Sequence, residues 1–221
     1  MLKNLRLLLI VLFSVATAAC SNNTIKKDFS FDNETAKGVL LGSITYDGYY
    51  SEYGVYYRNL SGDHSNYVSI GESVSLIPIN AFLPAEIEDS GRKGEVFGVD
   101  LEPGVYEFHS WKVSSAGIST HPKKMFSLKF EVKPGIATYI GNFNFNQTSS
   151  KGLTVTGASV EFSNKADRDL KVIQEKYKNI TTVSSLDDQY SYNIGENNLS
   201  DSEFFLKAFE GAINNQIYLA K

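Results

Sequence analysis

The residue in the most distinctive chemical setting is Cys20, the only cysteine of the chain. It follows a positively charged segment with Lys3 and Arg6, an uncharged and mostly apolar run over Leu7–Val15, and then four small residues. The apolar run is much shorter than the ~20 residues that a membrane-spanning helix needs, so the segment is typical of a cleavable export signal. A lone thiol in an exported protein stays reactive unless it is modified or paired. We therefore expect residues 1–19 to be removed and Cys20 to be modified.

The run Ala-Thr-Ala-Ala-Cys resembles the lipobox of bacterial lipoproteins, in which the thiol is acylated and the cysteine becomes the new N-terminus. It departs from that pattern at Thr17, where the family usually has Leu or another aliphatic residue. The resemblance implies several acyl chains on Cys20, which anchor a protein stably in a membrane. Ser21 stands where the family's inner-membrane retention signal is Asp, so the resemblance implies the outer membrane of a bacterial cell envelope. The alternative is an ordinary signal peptide with a cysteine near its cleavage site.

The charge balance argues against a nucleic-acid-binding role. Removal of Lys3 and Arg6 with the signal leaves 19 of the 21 basic residues against 25 acidic ones, a net charge near −6. Such a chain lacks the basic surface that binds nucleic acid, and it lacks a polybasic patch for anionic lipid. A single cysteine permits no disulfide within the chain, so packing must supply the stability.

Tyr46–Tyr57 is the stretch whose composition suggests a binding surface. It holds six tyrosines in twelve residues around the turn-forming pair Asp47-Gly48. Exposed aromatic side chains at a hairpin can stack on sugars or anchor a protein partner. Alternatively, alternating tyrosines stabilise cross-strand pairs on a half-exposed sheet. The candidate binding residues are Tyr49, Tyr50, Tyr53, Tyr56 and Tyr57.

Neither a catalytic nor a metal-binding pattern is evident in the sequence. The histidines His64, His109 and His121 are scattered, and there is no G-x-S-x-G or H-x-x-x-H motif. We interpret His109 as a half-buried strand residue, since no acidic partner is marked for it. Asp187-Asp188 is typical of a solvated turn, and residues 91–94 form a basic turn without the helix of a phosphate-binding loop. We expect no enzymatic activity, metal or cofactor.

From Gly38 onward the sequence predicts β-strands. Short segments rich in Val, Ile, Tyr, Phe and Thr are separated by Gly, Asp, Asn and Pro. In Phe126–Lys133 apolar and polar residues alternate, which is typical of antiparallel sheets that cover one core. The predicted strands are Val39–Tyr46, Tyr53–Leu60, Tyr67–Ile77, Glu95–Leu101, Gly104–Val113, Phe126–Lys133, Ala137–Asn146 and Leu153–Phe162.

Two joints between strands share one turn chemistry. Pro103-Gly104 and Pro134-Gly135 each suit a type II turn, because Pro fixes φ at the second residue and Gly supplies a positive φ at the third. Tyr106 and Tyr139 follow these turns. Each can place its ring in the core and its hydroxyl near a chain corner.

The segments GVLLGSITY, YGVYYRN, EVFGVDLEPGVYEFHSW and FSLKFEVKPGIATYIGNF together resemble a prealbumin-like β-sandwich of bacterial surface lipoproteins. The L-x-P-G-x-Y joint is similar to that of carboxypeptidase-regulatory and collagen-adhesin B-type domains. The resemblance implies a mainly β, Ig- or prealbumin-like antiparallel sandwich of about seven or eight strands. Some of the similar adhesin domains carry a Lys–Asn isopeptide bond. Lys37 and Glu107 suit that pattern, but Leu153–Phe162 contains no Asn.

Helical periodicity replaces the β pattern after Asn164, which we interpret as an N-cap with Asp167 in the first turn. Leu170, Ile173 and Tyr177 then share one face. Further along, Ser200 and Glu203 have the spacing of a capping box. A second apolar stripe follows there, formed by Phe205, Ala208, Phe209, Ala212 and Ile213. We expect two helices that pack on the sandwich.

The sequence thus predicts a signal peptide (1–19), a lipidated N-terminus with a flexible tether (20–36), a β-sandwich (37–162) and a helical extension (163–221). Alternation of Phe29 and Phe31 also allows an edge strand within the tether. The favoured function is a lipid-anchored binding or assembly module for a protein or envelope partner. A second candidate is a glycan-binding surface at Tyr46–Tyr57, which buried tyrosines would disfavour. A third is a cryptic hydrolase, which needs His109 or His121 beside an acid in a pocket.

Overall fold

The computed structural model describes residues 24–31, 36–73, 84–185, 190–208 and 210. The predicted signal peptide, Cys20, and the pair Asp187-Asp188 lie outside these residues. None of the helices in the described part is long and apolar enough to cross a membrane.

The described chain is mainly β, with two sheets and two helices. The helices are α1 (Ala166–Lys176) and α2 (residues 201–208). The strands in these ranges are β1 (Gly38–Tyr46), β2 (Glu52–Asn59), β3 (Ser65–Ile70), β4 (Ile87–Asp89), β5 (Arg92–Leu101), β6 (Gly104–Ser115), β7 (Ile118–Thr120), β8 (Leu128–Val132), β9 (Ala137–Lys151), β10 (Thr154–Ser163), β11 (Val183–Ser185) and β12 (Ser191–Asn198).

The first sheet has the strand order β12-β10-β9-β1-β5-β4, with β11 also paired to β9. It is mixed: β1 is antiparallel to β5 but parallel to β9, and β11 is parallel to β9. The expectation of purely antiparallel sheets is therefore wrong for this sheet. The reason is that β9 returns beside β1 after the chain has built the whole second sheet, so no hairpin dictates its direction.

The second sheet is antiparallel throughout, in the order β3-β2-β6-β7 with β8 also paired to β6. Its inner face packs on the inner face of the first sheet in a sandwich-like arrangement. Aromatic rings make the contact. The ring centroids of Tyr53 and Trp111 lie 5.3 Å and 6.1 Å from that of Phe145, and the centroid of Phe108 lies 4.8 Å from that of Phe143. All five of these rings are buried. This core fixes the strand ends that form the candidate site.

Each predicted strand overlaps an observed one, but some boundaries differ. The segment Tyr67–Ile77 ends as a strand at Ile70, and its residues 74–77 lie outside the described ranges. β9 continues past Asn146 to Lys151, because its last part pairs with β10 as a hairpin. Strands β4, β7, β11 and β12 were not predicted. They are short or polar, and β12 buries only Ile194. The prediction of a helical extension over 163–221 is therefore wrong in part, because β11 and β12 extend the first sheet.

The two Pro-Gly joints differ in detail. Gly135 has a φ of 67°, which suits the predicted turn, whereas Gly104 has a φ of 156° and already opens β6. The hydroxyl of Tyr106 donates to the carbonyl oxygen of Glu102 at 2.9 Å, as expected of a tyrosine at a chain corner. The hydroxyl of Tyr139 instead donates to Asp169 of α1.

Helix α1 covers the outer face of the first sheet. Ile173 and Tyr177 are buried there against Val39, Leu41 and Tyr139. This agrees with the predicted apolar face. The N-cap is Lys165 rather than Asn164, whose Oδ1 accepts a hydrogen bond from the backbone N–H of Ala166 at 2.9 Å.

Helix α2 begins with the predicted capping box. The N–H of Glu203 donates to Ser200 Oγ at 3.3 Å, and the N–H of Ser200 donates to Glu203 Oε2 at 2.8 Å. Phe205, however, is 67% exposed, so the predicted burial of its side chain is wrong. The side chain of Phe209 and residues 211–221 lie outside the described part.

The predicted flexible tether is also wrong for residues 24–31, which dock on the domain. Thr24 forms an antiparallel bridge with Val99, and the N–H of Ile25 donates to the carbonyl oxygen of Gly98 at 2.9 Å. Ile25, Phe29 and Phe31 pack against the apolar cluster under α1. Phe29 and Phe31 pack without forming the edge strand that their alternation allows.

Candidate functional site

A cleft of about 430 Å³ opens at the end of the domain where β1 stops and β5 starts. We call this end the cleft end. Tyrosines, carboxylates and one lysine share its wall. The lining residues are Tyr46, Tyr50, Ser69, Ile70, Gly71, Glu72, Pro84, Ala85, Glu86, Lys93, Gly94 and Glu95.

The turn between β1 and β2 brings Tyr50 to the cleft. Gly48 has a φ of 81°, and the N–H of Gln147 donates to Asp47 Oδ1 at 2.6 Å. In return, the N–H of Tyr49 donates to Gln147 Oε1 at 2.8 Å. These bonds tie the turn to β9 and fix where the following tyrosines lie.

The structure separates the five candidate tyrosines. Tyr53 and Tyr57 are 1% and 2% exposed, because alternate residues of β2 face the first sheet. Their assignment to a binding surface is therefore wrong, and they stabilise the core as the alternative interpretation held. Tyr50 is half-buried in the cleft wall, and Tyr49 is 41% exposed beside it. Tyr56 lies on the opposite face of β2.

Burial determines the protonation of the groups in the cleft. It raises the pKa of Tyr46 to about 12 and also raises the pKa of Tyr50, with a further contribution from Glu72. Burial likewise raises the pKa of Glu95, and the nearby charge of Glu86 adds to this effect. The raised pKa values keep both tyrosine hydroxyls neutral, and the oxygens of the carboxyl groups can accept hydrogen bonds. Such a wall suits a ligand that offers hydroxyl or amine donors and a flat face for an aromatic ring.

The carboxylate of Glu86 is held in place by its neighbours. Lys176 Nζ lies 2.8 Å from it, and the N–H of Val96 donates to its Oε2 at 3.1 Å. Sequence reasoning missed Tyr46, Glu72, Glu86 and Glu95 as cleft residues. They come from four separate segments that only the sheet pairing brings together, so no motif spacing marks them.

The outer face of the second sheet carries a different group of aromatic residues. The ring of Tyr56 lies 4.6 Å from that of Tyr67 and 6.2 Å from those of His109 and His121. Lys112 lies over the Tyr67 ring at 4.4 Å and pairs with Glu52 at 3.1 Å. These contacts join neighbouring strands, as cross-strand pairs do.

His109 is buried rather than half-buried, and its contacts do not complete a catalytic triad. Its Nε2 lies 2.8 Å from Ser65 Oγ, but Nδ1 has no hydrogen-bond partner in the described part of the chain. The nearby Glu107 accepts from Ser127 Oγ at 2.5 Å and Arg58 Nη2 at 2.6 Å. Both bonds lower the pKa of Glu107, whereas burial lowers the pKa of His109. The acid needed at Nδ1 of a triad histidine is thus occupied elsewhere.

The two residues of the isopeptide hypothesis do not come together. Lys37 Nζ lies 2.9 Å from Asp100 and 3.9 Å from Glu102. Glu107 is held by Arg58 and Ser127, as described above. The arrangement of these side chains gives the hypothesis no support.

Within residues 24–31, 36–73, 84–185, 190–208 and 210, no three His, Cys, Asp or Glu side chains are placed to hold a metal ion. Comparison of the chain with known proteins finds no matching family model and no matching curated protein.

Proposed function

We propose that this protein is a lipid-anchored component of a bacterial cell envelope, attached to the outer membrane through acyl chains on Cys20. The support is the signal-like segment 1–19, the position of the only cysteine, and Ser21 after it. We further propose that its two sheets form an Ig- or prealbumin-like sandwich that binds a protein or envelope partner.

One observation carries the binding role: the cleft in which Tyr46 and Tyr50 stand beside Glu72, Glu86 and Glu95. An aromatic group that anchors a partner in a pocket is the usual form of a strong contact. The surrounding carboxylates add hydrogen-bond acceptors that select for donors. Among the described residues His109 Nδ1 has no hydrogen-bond partner, so the Ser65–His109 pair gives the hydrolase alternative no support.

The test is photo-crosslinking in intact cells. A benzoylphenylalanine in place of Tyr50 is expected to give a discrete crosslinked species. The matched control carries the same group in place of Leu153, which is 76% exposed and does not line the cleft. Adding Glu95→Lys to the Tyr50 variant is expected to abolish the crosslink, since it reverses a charge in the cleft wall. Equal crosslinking at both positions, or none at Tyr50, would contradict the proposal.

A second candidate is glycan binding in the same cleft. It is favoured by Tyr49 and Tyr50, which unlike Tyr53 and Tyr57 are accessible, and by the adjoining carboxylates that can accept from sugar hydroxyls. Titration with soluble cell-wall glycan fragments tests it. Binding that is lost in Tyr50→Ala and kept in Tyr192→Ala, whose ring is 55% exposed elsewhere, would identify the partner as a glycan.

A further inference from the structure

The chain enters the folded domain at the end opposite the cleft. Thr24 pairs with Val99 and Ile25 with Gly98, so the chain runs antiparallel to β5, from its last residues toward the cleft. We call this end, opposite the cleft, the base. It holds the starts of β1, β6 and β9 and the ends of β2, β5 and β8. Their pairings Gly38 with Leu101, Val39 with Ala137, Gly104 with Val132 and Asn59 with Tyr106 place them together.

Only a short segment separates the base from Cys20. Four residues lead from Cys20 to Thr24, and they reach about 14 Å at most when fully extended. Because Thr24 is fixed to the sheet, the residues after it add nothing to this distance. An acylated Cys20, held at the level of the lipid headgroups, therefore keeps Thr24, which pairs with β5 near the base, within that distance of the headgroups.

The base also exposes aliphatic side chains. Leu60, Val105 and Ile136 are 44%, 47% and 40% exposed. The N–H of Leu60 donates to the carbonyl oxygen of Val105 at 2.9 Å, and the carbonyl oxygen of Ile136 accepts from the N–H of Val39 at 2.9 Å. These three side chains lie at one end of the domain, where an apolar surface can contact a protein or a membrane.

The charges at the base give no attraction to anionic headgroups. Lys37 Nζ lies 2.9 Å from Asp100 and 3.9 Å from Glu102, and Lys133 lies 3.5 Å from Glu131. The two lysines are thus largely neutralised by neighbouring acids. Contact would depend on the aliphatic side chains and the anchor rather than on attraction to anionic headgroups.

We propose that the base lies against the bilayer, with Leu60, Val105 and Ile136 at the level of the lipid interface. This inference rests on the proposed acylation of Cys20. Nine residues of β1 separate the base from the cleft end, which at the rise of a strand is about 26 Å. The cleft consequently points away from the membrane, toward the partner.

The test uses the acylated full-length protein in vesicles of phosphatidylethanolamine and phosphatidylglycerol with brominated acyl chains. Ile136→Cys and Leu153→Cys each receive a nitrobenzoxadiazole label, since acylation leaves no other free thiol. Leu153 is the matched control, because it is an exposed aliphatic residue in the β9–β10 turn beyond the cleft end. We expect several-fold stronger quenching of the label at position 136 than at position 153. A labelled Val105→Cys gives an independent reading at the base.

Equal or negligible quenching at positions 105 and 136, in protein that carries acyl chains and remains bound to the vesicles, would overturn the orientation while leaving the anchor intact. Absence of acyl chains from the mature protein would instead overturn the proposed function. The mass of the purified protein distinguishes these two failures.

Discussion

The hydroxyl of Tyr139 donates to Oδ2 of Asp169 at 2.6 Å and so joins strand β9 to helix α1. Asp169 is fully buried. Ser43 Oγ donates to the same oxygen at 2.5 Å, and Arg168 Nε donates to Oδ1 at 2.7 Å. The carboxylate also lies in the first turn of α1, where the positive end of the helix dipole favours it. A buried carboxylate of this kind is tolerated only because these donors replace water.

Tyr139→Phe is therefore expected to destabilise the protein by about 1–3 kcal/mol, since it removes a donor from a buried charged acceptor. Urea unfolding measures the change. Tyr192→Phe is the matched control, because its ring is 55% exposed, and it should leave the free energy of unfolding unchanged. A loss as large in the control as in Tyr139→Phe would contradict a specific role for the bond to Asp169.

Gly98→Val tests the docking of residues 24–31. A Cβ at position 98 would lie 2.7 Å from Ile25 Cδ1, so valine must displace the Ile25 side chain, which is one of the apolar contacts of the segment. We expect faster tryptic cleavage after Lys26 and Lys27. Gly62→Val is the control, since no heavy atom lies within 4 Å of a Cβ at that position. Unchanged cleavage in Gly98→Val would mean that the segment does not depend on close contact with β5.

Glu95 gives the cleft a characteristic pH dependence. Its pKa in the folded state is raised above 4.5, so the folded protein binds this proton more tightly than the unfolded chain. Ionisation of Glu95 therefore reduces stability as the pH rises above that value. Glu95→Gln should be more stable than the wild type at pH 7, with the difference disappearing at lower pH. Urea unfolding of the wild type and of Glu95→Gln across this pH range checks the prediction.

Glu107 should show the opposite dependence. Hydrogen bonds from Ser127 and Arg58 lower its pKa in the folded state below 4.5. Its contribution to stability is present above the pKa of the unfolded chain and is lost as the pH falls through the folded value. Glu107→Gln should thus be less stable than the wild type at pH 7 and approach it in acid. A constant difference at every pH would show that the charge of Glu107 is not what stabilises the fold.

Local patterns predicted the elements of this fold better than their arrangement. Alternation identified β8, and the Pro134-Gly135 pair identified the turn after it, because both depend on neighbouring residues. The parallel pairing of β1 with β9 depends on residues about a hundred positions apart, such as Val39 and Ala137, and no local pattern encodes it. The polar strand β12 is stabilised by pairing with β10 rather than by its own sequence.

The candidate site was predictable only in part. A strand period of two indicates that Tyr53 and Tyr57 share a face, but it does not say which face is buried. The packing of the two sheets makes that choice, and it leaves Tyr49 and Tyr50 accessible. Glu72, Glu86 and Glu95 meet at the cleft only because strands from separate segments end there.

The most direct test of the lipid anchor is the intact mass and membrane fractionation of the wild type and of Cys20→Ser. The account predicts that the mature wild type begins at Cys20, carries the added mass of acyl chains and sediments with the membrane. Cys20→Ser should remain unprocessed or be released without lipid. Wild-type and variant proteins that are both soluble and free of lipid would contradict the anchor, and with it the proposed orientation of the domain.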